Sequence, residues 1–209
     1  MHPHSTSSRG PLTACSLLLA LVVGACSDSN APQRVTAPGN ASGAAKDTLL
    51  PEARAQGGEF RFTTPAGWVV EAPAQFRKLQ FQLPRVDDDQ DDAQVWVTDF
   101  GGGTREQNAE RWIGEFDQPD GKPSAEVAKQ STRKVGKLDV FEVDVSGTCT
   151  AKMAPGSPST MQKENWRQIA VILEGGSKPW YVKLRGPVAT VTRWEASFRA
   201  FVDSAVVAP

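Results

Sequence analysis

From residue 59 onward, apolar and polar positions alternate in ways that specify short strands and two helices. Phe60-Arg61-Phe62-Thr63 reads as a first strand, and Pro65-Ala66-Gly67-Trp68 as a turn leading into Val69-Val70-Glu71. Residues 77–83 alternate Lys78, Gln80 and Gln82 with Leu79, Phe81 and Leu83, the period-two mark of a strand with one buried face. Residues 94–100 repeat that pattern, so the two strands read as a hairpin with a long acidic loop between them. Gly101, Gly102 and Gly103 break the second strand. Thr104 and Gln107 then have capping-box spacing, each side chain able to satisfy a backbone donor at a helix start. Ala109, Trp112, Ile113 and Phe116 follow at i, i+3, i+4 and i+7, one apolar helix face, until Pro119-Asp120-Gly121.

The second half reads as a meander. Residues 131–135 and 138–145 flank Gly136-Lys137, which predicts a tight hairpin. A polar loop over 148–164 leads to strands at 165–173 and 180–185, joined by Glu174-Gly175-Gly176-Ser177. Gly186-Pro187 is expected to end the sheet, and a last helix to align Val191, Trp194, Phe198 and Phe201, with Thr192 and Glu195 as a second capping pair. Consecutive hairpins imply a mainly antiparallel sheet, and two amphipathic helices need that sheet to cover their apolar stripes. The expected class is α+β, in a single globular domain over 59–205.

The N-terminus has a different texture. Arg9 and Leu12 precede the apolar run Leu17-Leu18-Leu19-Ala20-Leu21-Val22-Val23, too short for a permanent span of about 20 residues but suited to the core of a signal peptide. Val23-Gly24-Ala25-Cys26 resembles a bacterial lipobox, with small residues for a peptidase pocket and a thiol to accept the diacylglyceryl group. Residues 1–25 are therefore expected to be removed, leaving Cys26 as the lipid attachment site. Leu12-Thr13-Ala14-Cys15 also has lipobox form but lacks a preceding apolar run; a conventional signal peptide with an incidental cysteine is the other alternative. Acyl chains contribute about 0.8 kcal/mol per buried CH₂, so several give a stable anchor. Ser27, rather than Asp, after the cysteine favours the outer membrane over the inner. Residues 26–58 read as the lipidated cysteine and a flexible linker, rich in small and polar residues and proline and lacking aromatics. Leu49-Leu50 offers a short docking helix as an alternative.

Composition then narrows the chemistry. Twenty-three basic and 24 acidic residues give a net charge of −1, with no basic surface for nucleic acid. Both histidines, His2 and His4, precede the cleavage point, which removes histidine-based catalysis and most zinc or copper sites from the mature chain. Cys149 is then the only thiol besides the lipidated one, so no intramolecular disulfide is expected. No cofactor or metal is assigned.

Five features are candidate sites. Asp87, Asp88, Asp89, Asp91 and Asp92 offer hard oxygen ligands for calcium, but the run lacks EF-hand spacing and reads first as a solvated hairpin loop. The glycines before Thr104 could cradle an anion at a helix start, but no P-loop lysine follows and they read first as a strand-to-helix turn needing unusual φ angles. Cys149 has no histidine to activate it and reads as a free structural cysteine or as a partner in an intermolecular disulfide. Of the six tryptophans, Trp68 and Trp180 stand beside turns and are the surface candidates for a glycan platform; the others fall on core-facing positions. Asp99 and Glu115 are carboxylates that a hydrolase would need to converge, and Arg111 is assigned no role.

Thr64-Pro65-Ala66-Gly67-Trp68, Phe100-Gly101-Gly102-Gly103, Asn108 with Arg111-Trp112-Ile113, Val145-Ser146-Gly147-Thr148 and Lys183-Leu184-Arg185-Gly186-Pro187 together resemble a family of bacterial exported lipoproteins. More remotely, the layout is similar to the PsbP-like fold, an antiparallel sheet between helices, which includes extrinsic photosystem subunits and a nuclear GTPase-binding protein. That resemblance implies binding and stabilising other proteins rather than catalysis, and brings no catalytic residue to transfer. The expectation is a non-enzymatic, membrane-anchored envelope lipoprotein that engages another envelope protein. The alternative is a small-ligand or cell-wall glycan binder.

Overall fold

The period-two segments become the two faces of one nine-stranded antiparallel sheet. The computed structural model describes residues 33–34, 54–74, 76–86, 88–153 and 156–207. Their strands are β1 (Gln33–Arg34), β2 (Arg54–Gly57), β3 (Phe60–Thr63), β4 (Val69–Glu71), β5 (Leu79–Leu83), β6 (Ala93–Thr98), β7 (Phe116–Asp117), β8 (Lys129–Val135), β9 (Leu138–Cys149), β10 (Lys163–Glu174), β11 (Trp180–Pro187) and β12 (Val206–Val207). The helices are α1 (Arg105–Ile113) and α2 (Val188–Asp203). The large sheet runs β1-β4-β5-β6-β11-β10-β9-β7, with β8 also on β9, and a small sheet runs β12-β3-β2.

Alternation decides which side each residue serves. Phe81, Leu83, Val95, Val97, Val182, Leu184, Ile169 and Val171 face one way and meet Val191, Phe198, Phe201 and Val202 of α2. Phe60 and Phe62 of β3 join this core, where Phe62 stacks on Phe201 with ring centres 4.6 Å apart. On the other face Phe141, Val143, Ala170, Ile172 and Tyr181 meet Ala109, Trp112 and Ile113 of α1. With a helix on either face, the class is α+β, as the hydrophobic pattern requires.

Local signals account for several boundaries. Thr104 and Gln107 form the capping box: the Thr104 hydroxyl accepts from the Gln107 amide and the Gln107 side chain accepts from the Thr104 amide. Gly101 is needed for close approach, because a Cβ there would lie 2.4 Å from Cε2 of Tyr181. The outer strand β8 carries Lys129, Arg133 and Lys134, charges that discourage edge-to-edge pairing.

Three expectations are corrected. Phe116 is buried but lies in β7 rather than on α1, since Gly114 caps the helix before the next turn can form. Thr192 and Glu195 do not cap α2, which begins at Val188 with Pro187 as an N-cap lacking a side-chain bond. Its start is served instead from the acidic loop: Asp89 accepts from the Thr190 amide at 2.9 Å and from the Thr190 hydroxyl. Thr192 and Glu195 turn to Arg167. Gly186 and Pro187 belong to β11 rather than ending the sheet before them.

Pairing also reaches into the segment read as a linker. Arg54–Gly57 pairs with β3 and Gln33–Arg34 with β4. A strand edge offers unpaired N–H and C=O groups that take backbone partners whatever their side chains. Residues 1–25, expected to be a signal peptide, together with Cys26 and the rest of residues 26–53, lie outside the described residues. Among the described residues, no helix is long and apolar enough to cross a membrane.

Candidate functional site

Two features stand out from the packed core, a basic patch within the α1 face and an aromatic pair at one end of the β5–β6 hairpin. The patch follows from strand register. Arg185 on β11 lies opposite Gln94 on β6 and Gln168 on β10, and Lys183 lies opposite Trp96 and Ala170. Alternation thus sets Lys183, Arg185, Trp96 and Gln168 on one face. The helix α1 crosses that face and buries what would otherwise be solvated.

The Lys183 ammonium nitrogen sits 4.5 Å from the centre of the Trp112 ring, with Lys183 only 9% exposed. Burial drives its pKa down to about 7; Glu115 opposes that shift, while the charges of Arg185 and Arg111 reinforce it. Arg185 lies over Trp96 at 5.0 Å and Arg77 lies over the same indole at 4.6 Å. Burial first, and then repulsion from Arg185, lower the Arg77 pKa. Glu115 approaches Arg185 at 3.7 Å, too far for a hydrogen bond, and its buried Oε2 has no hydrogen-bond partner. Gln168 is fully buried, and neither atom of its amide is hydrogen-bonded. Leaving such a group unsatisfied costs about 1–3 kcal/mol.

The aromatic pair is the outer counterpart. Phe76 and Phe100 are 46% and 64% exposed, and they stack with ring centres 4.7 Å apart. Phe76 holds a left-handed backbone at φ 67°, which costs a residue with a Cβ about 1–2 kcal/mol. Thr98 fixes the arrangement by donating to the Phe76 carbonyl at 2.7 Å and accepting from the Phe100 amide at 3.0 Å. Lys78 and Lys178 stand beside it on Asp99, at 3.4 and 2.9 Å.

The residues singled out from sequence fall as follows. Asp99 is a paired surface carboxylate: burial works against its charge, but hydrogen bonds from Lys178 and Lys78 outweigh that and lower its pKa. It is thus held ionised by lysines, while Glu115 faces Arg185. Trp68 and Trp180 are not surface residues; both are buried, Trp68 against Phe81 and Phe201 and Trp180 against Phe60. Cys149 is free and fully buried, 3.8 Å from Arg185. Arg111 bonds Asn108 on its own helix and adds charge at the margin of the patch.

The acidic loop spends its carboxylates separately. Asp89 holds Thr190, Asp91 pairs with Lys163 at 2.7 Å, and Asp92 accepts from Gln82 and the Arg85 amide. Asp87 lies outside the described residues, and among the described residues no three His, Cys, Asp or Glu side chains gather to hold a metal. The glycine turn is engaged by its own helix, with the Asn108 amide donating to the carbonyls of Gly102 and Thr104. Sequence reasoning missed the Lys183 patch and the Phe76–Phe100 stack. The signal available for the first was two basic residues on alternate positions of an otherwise apolar strand.

No protein-family model and no curated protein matches the chain. Among solved structures it is similar to the solution structure of cyanobacterial PsbP from Synechocystis sp. PCC 6803, with a TM-score of 0.42 and 10% identity over 81% of this chain and 98% of that one.

Proposed function

We propose that the domain is a non-catalytic interaction module, held at the bacterial envelope by lipid on Cys26, in the outer membrane, and docked on another envelope protein. The observation that carries this reading is the exposed Phe76–Phe100 stack. Rigid aromatic side chains supply large contact area at small entropic cost and are enriched where interfaces concentrate their energy. A strained backbone beneath an exposed aromatic is the kind of local cost that persists where a site needs it. Lys78, Asp99 and Lys178 give the pair a charged rim.

Two variants test the halves of this reading. Cys26→Ser is expected to move the protein from the detergent-extracted membrane fraction to the soluble one; retention on the membrane would contradict the anchor. Phe76→Ser with Phe100→Ser is expected to leave the unfolding free energy from urea titration within about 0.5 kcal/mol of wild type, as for surface substitutions, while abolishing co-purification of the partner from crosslinked cells. Unchanged co-purification would contradict the docking surface.

A further inference from the structure

Four basic groups meet around Trp96 and Trp112: Arg77 and Arg185 on the first indole, Lys183 on the second, and Arg111 beside them. Against them stand Glu115, which touches Arg185 at 3.7 Å without a hydrogen bond, and Glu71, whose charge reaches Arg77. Like charges placed this close, and partly withdrawn from water, repel unless an anion compensates them. Gln168, enclosed beside Arg185, adds an amide whose donor and acceptor are both unused. Arg77, Arg185 and Glu115 are half-buried and Arg111 is exposed, so the guanidinium side of the patch meets solvent, while Lys183 and Gln168 are buried.

We infer that Arg77, Lys183, Arg185 and Gln168 form a binding site for the carboxylate or phosphate group of a small ligand. Guanidinium forks match the geometry of both groups, and the lysine adds a point charge from below. Trp96 carries both guanidiniums over its ring and so holds the two arginines together. This site is independent of the aromatic docking pair and stands or falls separately from it.

The ammonium of Lys183 is the natural reporter, since a bound anion restores the charge that burial disfavours. Its neighbours are Trp112 and Arg111 of α1, Glu115 beyond it, Arg185 of β11 and Cys149 of β9. The test follows the Lys183 side chain by NMR in the isotope-labelled full chain, with sodium acetate and sodium phosphate as separate probes and sodium chloride at equal ionic strength as the control. Saturable binding of either probe is expected, with the Lys183 midpoint moving up by about one unit or more from about 7. Acetate alone would mark a carboxylate ligand and phosphate alone a phosphate ligand. Arg185→Gln and Lys183→Met, the latter read by tryptophan fluorescence, are each expected to weaken binding about tenfold or more. A response to both probes no larger than to chloride, or binding that survives both substitutions in a folded protein, would overturn the assignment.

Discussion

Replacing Trp68 with alanine is expected to remove about 3–5 kcal/mol of stability, the usual cost of truncating a buried tryptophan. The indole has no solvent exposure. It meets Phe81 edge-on at 5.2 Å and Phe201 at 5.0 Å, joining the β4 entry, β5 and α2 in one aromatic cluster. Its Nε1 donates to the Ser197 hydroxyl at 3.2 Å, so truncation also leaves that hydroxyl without its indole partner. Cys149, the one cysteine among the described residues, is free, which leaves the packed core to carry the loss. Urea unfolding should show a much lower midpoint with an unchanged slope. A loss under about 1 kcal/mol would place Trp68 at the surface, where glycan binding needs it.

Lys183→Met should act in the opposite direction. Taking a charge out of water costs on the order of several kcal/mol per ion even after relaxation, and an apolar residue of similar volume avoids that cost. The sign with pH follows from the lowered pKa. Between about 7 and the ordinary 10.5, the unfolded chain holds a proton on Lys183 that the folded chain has released. Wild-type stability therefore rises with pH across that window, by up to about 1.4 kcal/mol per unit. The penalty is fully present below about 7, where both states are charged, and fades toward 10.5. The methionine variant removes this dependence, so its advantage should be greatest below pH 7 and shrink as pH rises. The difference between variant and wild type isolates Lys183 from Cys149 and Tyr181, which both proteins retain. A destabilised variant, or parallel pH profiles, would show that the ammonium is a favourable structural charge.

The contrast between these two side chains shows where sequence reading reaches its limit. Strand existence was legible because alternation is a local property: Leu79, Phe81 and Leu83 declare one face of β5 without reference to anything else. The same was true of the Thr104–Gln107 capping box and the turn at Gly136. Trp68 and Trp180 were misplaced because turn residues beside them said surface, whereas their burial depends on Phe201 and Phe60 arriving from distant parts of the chain. The start of α2 was misplaced for a related reason, its partner Asp89 lying in a loop far earlier in sequence. Lys183, Arg185 and Gln168 share a sheet face that would read as solvated, and Lys183 is covered because Trp112 of α1 packs over it. Phe76 and Phe100 meet through hairpin register and one left-handed residue, neither of which composition reveals.

The most direct test of the docking claim is photo-crosslinking in intact cells from a reactive amino acid placed at Phe100, compared with one at exposed Glu126. One discrete envelope protein is expected to be captured from position 100, not captured from position 126, and lost when Phe76→Ser is added. Equal capture from both positions, or none from position 100 while the protein remains folded and membrane-bound, would contradict it.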